Sequence, residues 1–160
     1  MNSAADRTIL IADDDRNLVY ALSERCRRLG LNVLTAHDAY TALSLAKSAV
    51  PDMICLDVEM PAGNGLSVGE MLTSDAASRF APIIILTGRN DPETIVRCHN
   101  MCIYYVEKCD DVWSRIEPLL QELLAATDGV SIARCAPSTP AETPFADLCD
   151  DKAPACGHKP

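Results

Sequence analysis

At 160 residues, with 48% hydrophobic and 23% charged side chains, the chain has room for one ordinary domain plus an extension, and its composition excludes global disorder. A formal net charge of -9 without a basic cluster excludes nucleic acid as a natural partner, because phosphate contacts need Lys and Arg. No apolar run approaches the ~18 residues of a membrane span, and the polar stretch from Met1 to Arg7 lacks the core of a signal peptide, so no membrane association and a cytoplasmic location are expected.

Apolar runs alternate with helical patterns along the chain. Thr8 to Ala12 reads as the first strand, followed by a helix with Leu18, Val19, Leu22, Cys26 and Leu29 at three- and four-residue steps, stopped by Gly30. Asn32 to Ala36 is a second strand. Asp38 then caps a helix carrying Ala42, Leu43, Leu45 and Ala46, which Pro51 and Asp52 break. Met53 to Leu56 is a third strand, apolar throughout as a strand covered on both faces should be. A loop with Pro61, Gly63 and Gly65 leads to a short helix around Leu66 to Leu72. Pro82 opens the strongest strand, Ile83 to Leu86, and Asp91-Pro92 starts the fourth helix. Ile103 to Val106 is the fifth strand. The last helix runs from about Val112 to Ala126, with Pro118 predicting a kink or a later start.

Five strands and five helices in alternation predict an α/β fold, a doubly wound parallel sheet with helices on both faces. The domain is expected over residues 7–126. From Thr127 onward periodicity is lost and five of the 10 prolines gather, so residues 127–160 read as a disordered, solvated tail. The tail's Cys135, Cys149, Cys156 and His158 lack a close Cys-x-x-Cys pair and are not read as a metal site. Of the 8 cysteines, Cys26, Cys55, Cys98, Cys102 and Cys109 lie in or beside regular elements and read as free buried thiols.

Ligands in such sheets bind beyond the carboxyl ends of the strands. Asp13-Asp14-Asp15 stands at the end of the first strand, Asp57 at the third, Thr87-Gly88 at the fourth and Lys108 at the fifth. Gathered carboxylates repel, at about 3 kcal/mol per pair for ~5 Å and an effective dielectric of ~20. A divalent cation or a lysine relieves that repulsion. Mg²⁺ suits all-oxygen sites that also take a phosphate, with Mn²⁺ as an alternative. Asp57, alone after an apolar strand, is the candidate nucleophile toward phosphorus. Asp13 and Asp14 are the candidate metal pair, and Lys108 and Thr87 the candidate phosphate contacts. Asp15 reads as a helix cap.

The set Ile9-Leu10-Ile11-Ala12-Asp13-Asp14-Asp15, Leu56-Asp57-Val58-Glu59-Met60-Pro61 with Gly65, Leu86-Thr87-Gly88, and Tyr105 three residues before Lys108 resembles the receiver domain of bacterial response regulators over about residues 7 to 126. The resemblance implies a flavodoxin-like fold with strand order 2-1-3-4-5. It implies that Asp57 accepts a phosphoryl group from a sensor histidine kinase or phosphotransfer protein. Asp13, Asp14, Asp57 and the backbone carbonyl of Glu59 would hold Mg²⁺. Thr87 and Lys108 would draw toward the phosphate while Tyr105 turns inward. The surface of the fourth helix, fifth strand and fifth helix would then change its affinity for a target protein or a second copy of the chain. Two charge-assisted hydrogen bonds supply ~3–6 kcal/mol, close to the ~5.5 kcal/mol that inverts a 1:99 equilibrium. The sequence departs from the family in placing Cys109 after Lys108, where Pro is usual, and Met101-Cys102 before the fifth strand, where Gly-Ala is common. Glu59 and Arg89, two residues beyond Asp57 and Thr87, would line the path of a hydrolysing water and set the phosphate lifetime.

Other readings compete. Glu59 also stands where an aspartyl-phosphate phosphatase or phosphotransferase keeps a general acid, and a degenerate receiver would act as a constitutive binding module. A flavin-binding module would need a Ser, Thr and Gly loop where three aspartates stand. No second folded domain is read, so output is expected through protein binding or a phosphorelay, without catalysis of an external reaction.

Overall fold

A computed structural model of the chain describes residues 7–75, 81–88 and 91–127. Along the chain they form β1 (Thr8–Ala12), α1 (Arg16–Arg28), β2 (Asn32–Ala36), α2 (Ala39–Ala49), β3 (Met53–Asp57), β4 (Glu59–Met60), β5 (Gly63–Asn64), α3 (Gly65–Ser74), β6 (Ile83–Thr87), α4 (Pro92–Asn100), β7 (Tyr104–Glu107) and α5 (Trp113–Thr127). Five strands make one parallel sheet in the order β2-β1-β3-β6-β7. With the β4-β5 hairpin set aside, this is the expected 2-1-3-4-5. The order reverses at β1, which opens the crevice between β1 and β3 that such folds use for ligands.

Every residue of β3 and β6 is buried, which is why both read as unbroken apolar runs. Pleating sends alternate residues to opposite faces. Leu10, Ile54, Leu56, Ile83 and Ile85 pack against α2, α3 and α4, while Ile9, Ile11, Cys55, Ile84 and Leu86 pack against α1 and α5. Aspartates cap three helices. Asp15 accepts from the N–H groups of Asn17 and Leu18, Asp38 from Thr41 and Asp91 from Thr94.

Four expectations need correction. The loop after Asp57 holds a short antiparallel hairpin, Glu59 opposite Asn64 and Met60 opposite Gly63. Two rungs are too short to leave a periodic trace. The last strand starts one residue later than read, because the Ile103 N–H closes α4 on the Cys98 carbonyl at 3.0 Å and pairing begins with Tyr104 opposite Ile84. Pro118 does not delay α5, which begins at Trp113. Pro118 and Ser114 both face solvent, so the carbonyl that loses its N–H partner is left on the wet side of the helix. Of the five cysteines expected to be buried, only Cys26, Cys55 and Cys98 are. Cys102 occupies a left-handed turn after α4 at φ 55 and Cys109 a loop, and both are exposed. Burial pushes the Cys26 and Cys98 thiols up to about 11, which makes them poor nucleophiles. Residues 128–160, and with them nearly all of the expected tail, lie outside the described residues.

Candidate functional site

Register brings the chemistry together. Ala12 lies opposite Leu56, Asp57 opposite Leu86 and Thr87 opposite Glu107, so the residues ending β1, β3, β6 and β7 share one rim of the sheet. Asp13 is fully buried, Asp57 and Thr87 are nearly so, and Asp14 is exposed at the mouth. Carboxylate oxygens of Asp13, Asp14 and Asp57 all lie within 4.8 Å of one another.

Lys108 enters this group from the end of β7. Its Nζ stands 2.7 Å from Asp13 Oδ2 and 3.0 Å from Asp57 Oδ1. Its backbone N–H donates to the Thr87 carbonyl at 2.7 Å, which fixes the loop to the end of β6. Burial raises the Asp57 carboxyl above its ordinary value and the charge of Asp13 adds to this, while Lys108 and the Glu59 N–H oppose it. Burial disfavours the Lys108 ammonium, yet its contacts with Asp13 and then Asp57 outweigh this and leave it above its ordinary value.

The loop between β3 and α3 is shaped by Gly65. A Cβ there would stand 1.8 Å from the Asp57 carbonyl oxygen, and the Gly65 N–H donates to the Val58 carbonyl at 3.0 Å. Only glycine lets the start of α3 close this tightly on the backbone of the phosphoacceptor candidate.

The residues fit a hard divalent cation. Every side-chain donor is a carboxylate oxygen, as Mg²⁺ prefers. Asp13 Oδ2, fully enclosed, faces this cluster with Lys108 Nζ 2.7 Å away as its charge partner. Asp13 Oδ1 accepts from the Asp15 N–H at 2.9 Å, which holds the carboxylate in place.

Of the outer candidates, the Glu59 side chain is exposed on β4 while its N–H reaches Asp57. Arg89 lies outside the described residues. The two neighbouring tyrosines separate by the pleat: Tyr105, half-buried, packs with the α2–α4 side and Tyr104 with the α1 and α5 side. Cys109 follows Lys108 through a trans peptide bond. One neighbour of the site was not anticipated. His37 Nδ1 donates to the Asp13 carbonyl at 3.0 Å. A lone histidine carries no motif, but the pairing of Ala12 with Ala36 would have placed it beside Asp13.

Known proteins are similar to this chain in sequence and in fold. Residues 9–111 match the family model of the response regulator receiver domain. The protein PilH of Pseudomonas aeruginosa is 36% identical over 86 residues, covering 54% of this chain and 70% of PilH. The transcriptional regulatory protein CpxR of Escherichia coli K12 is 40% identical over 81 residues, 51% of this chain but 33% of CpxR, so the chain spans about a third of that relative. The response regulator TrrA of Thermotoga maritima, solved with Mg²⁺ and BeF, superposes with a TM-score of 0.66 at 26% identity, covering 73% of this chain and 98% of TrrA. Matched over more than half its length, and with the sheet order and acidic rim described above, the chain belongs to the response regulator receiver domain family of two-component signalling.

Proposed function

We propose that the protein is a single-domain response regulator in which Asp57 takes a phosphoryl group from a sensor histidine kinase or a phosphotransfer protein. The observation that carries this reading is the position of Lys108 Nζ between the Asp13 and Asp57 carboxylates, inside a three-aspartate group at the carboxyl rim.

Asp13, Asp14, Asp57 and the Glu59 backbone carbonyl would hold Mg²⁺. When bound, the metal supplies charge neutralisation for phosphoryl oxygens in the transition state. The protein's own groups do the rest. An ionised Asp57 oxygen attacks phosphorus. The bond from phosphorus to the donor's imidazole nitrogen breaks, and its electron pair stays with that nitrogen. Lys108 keeps Asp57 ionised against the cost of burial and offers its charge to the new phosphoryl oxygens. Thr87, buried at the end of β6, offers its hydroxyl to another. Because the Lys108 N–H is bonded to the Thr87 carbonyl, movement of either residue is transmitted to the β6–β7 edge. Tyr105 lies on that edge, next to α4, and would carry the change to a surface made by α4, β7 and α5. Glu59 and Arg89 would set how fast water removes the phosphate. The readout is binding of another protein or dimerisation.

The test is intact mass after treatment with acetyl phosphate and Mg²⁺. The wild-type chain should gain one phosphoryl group, and Asp57→Asn should gain none. An unchanged wild-type mass, or the same gain in the variant, would sink the assignment.

A further inference from the structure

The β1–β2 ladder ends beside the acidic rim in an unusual way. Its last backbone rung is the Asp13 N–H to the Ala36 carbonyl at 3.2 Å. In a parallel ladder the next rung would run from the Asp38 N–H to the Asp13 carbonyl. The chain instead turns into α2, with the Asp38 side chain taken by Thr41 and the Ala39 N–H bonded to the Pro61 carbonyl at 3.0 Å. Asp13 is fully enclosed, so without that rung its carbonyl needs another donor. The half-buried imidazole of His37 fills the gap, Nδ1 standing 3.0 Å from that oxygen. The acceptor is a carbonyl, so Nδ1 carries the hydrogen.

The consequence falls on Asp14. The Asp13 carboxylate is already held by the Asp15 N–H and Lys108. Asp14 is exposed, and its Cα is joined to the same peptide unit whose carbonyl His37 grips. From this geometry we infer that His37 is a positioning residue of the metal site: by bonding the Asp13 carbonyl it fixes the Asp13–Asp14 peptide and so aims the Asp14 carboxylate at the cation. This rests on the proposal that the aspartate group binds Mg²⁺, and it concerns a residue that touches neither metal nor phosphate.

Side-chain geometry supplies a sharp test. An asparagine amide nitrogen occupies the place of Nδ1, whereas a glutamine amide nitrogen falls nearer Nε2. Magnesium chloride would be titrated into the full chain, wild type, His37→Asn, His37→Gln and His37→Ala, with binding followed by amide chemical shifts. Melting temperatures without metal would show that each variant is folded. Wild type and His37→Asn should bind alike, while His37→Gln and His37→Ala bind about 10-fold more weakly. At saturating Mg²⁺ all four should still be labelled on Asp57 by acetyl phosphate. Equal affinity in all four, or an asparagine variant as weak as the alanine one, would overturn the positioning role. A wild-type protein that binds no Mg²⁺ would overturn the metal site itself and this inference with it.

Discussion

Ser23 sits in α1 with its hydroxyl buried and no hydrogen-bond partner among the described residues. In a helix interior such hydroxyls usually bond back to a carbonyl one turn earlier. In α3 they do: Thr73 Oγ1 donates to the Gly69 carbonyl at 2.9 Å and Ser74 Oγ to the Glu70 carbonyl at 2.8 Å. Ser23 therefore carries the desolvation cost of a polar group without the return of a bond. Ser23→Ala removes that cost and brings a better helix former, so it should stabilise the fold by about 1 kcal/mol. Urea unfolding checks this. A lower midpoint for the variant would mean that the hydroxyl finds a partner in solution.

Among the elements, the junction of β3 and α3 has the least freedom. Any side chain at position 65 meets the Asp57 carbonyl, and main chain cannot move aside as a flexible side chain would. Gly65→Ala should cost about 3 kcal/mol by urea unfolding, in the range of forced overpacking. A loss below about 1 kcal/mol would mean that α3 can withdraw from Asp57 more easily than its packing implies. The need for glycine at this position was visible in the sequence only as part of a motif, since the contact that demands it is tertiary. The strands were legible because β3 and β6 are covered on both faces, and the caps because Asp15, Asp38 and Asp91 stand just ahead of periodic segments. The hairpin at Glu59, the exposure of Cys102 and Cys109 and the solvent-facing Pro118 were not, because each depends on which way a short piece of chain faces after packing. Helix α1 meets α5 through Arg25 over the Trp113 ring at 5.6 Å, another pairing with no local signature.

For the molecule as a whole, the acidic rim is a source of instability that function would require. In the metal-free protein, burial and then Asp13 hold the Asp57 carboxyl above its ordinary value despite Lys108. The folded state therefore holds that proton more tightly than the unfolded chain does. The stability linked to Asp57 is present in full below the unfolded value of 3.8 and is lost as pH rises through the folded value. Asparagine cannot ionise, so Asp57→Asn should be more stable than wild type at pH 7. The advantage should shrink as pH falls through the raised value toward 3.8. On the proposed function Mg²⁺ should act in the opposite sense, because it would bind the ionised cluster of the folded state. At a free concentration 100 times its dissociation constant it should add about 2.7 kcal/mol to wild type, and less to Asp57→Asn, whose neutral amide oxygen is a weaker ligand than a carboxylate. Paired urea titrations of the two proteins, with and without Mg²⁺ and at several pH values, read all of this at once. An advantage of the variant that stays constant with pH would show that Asp57 is not the group whose ionisation strains the fold. Equal Mg²⁺ stabilisation of both proteins would show that the cation binds without Asp57.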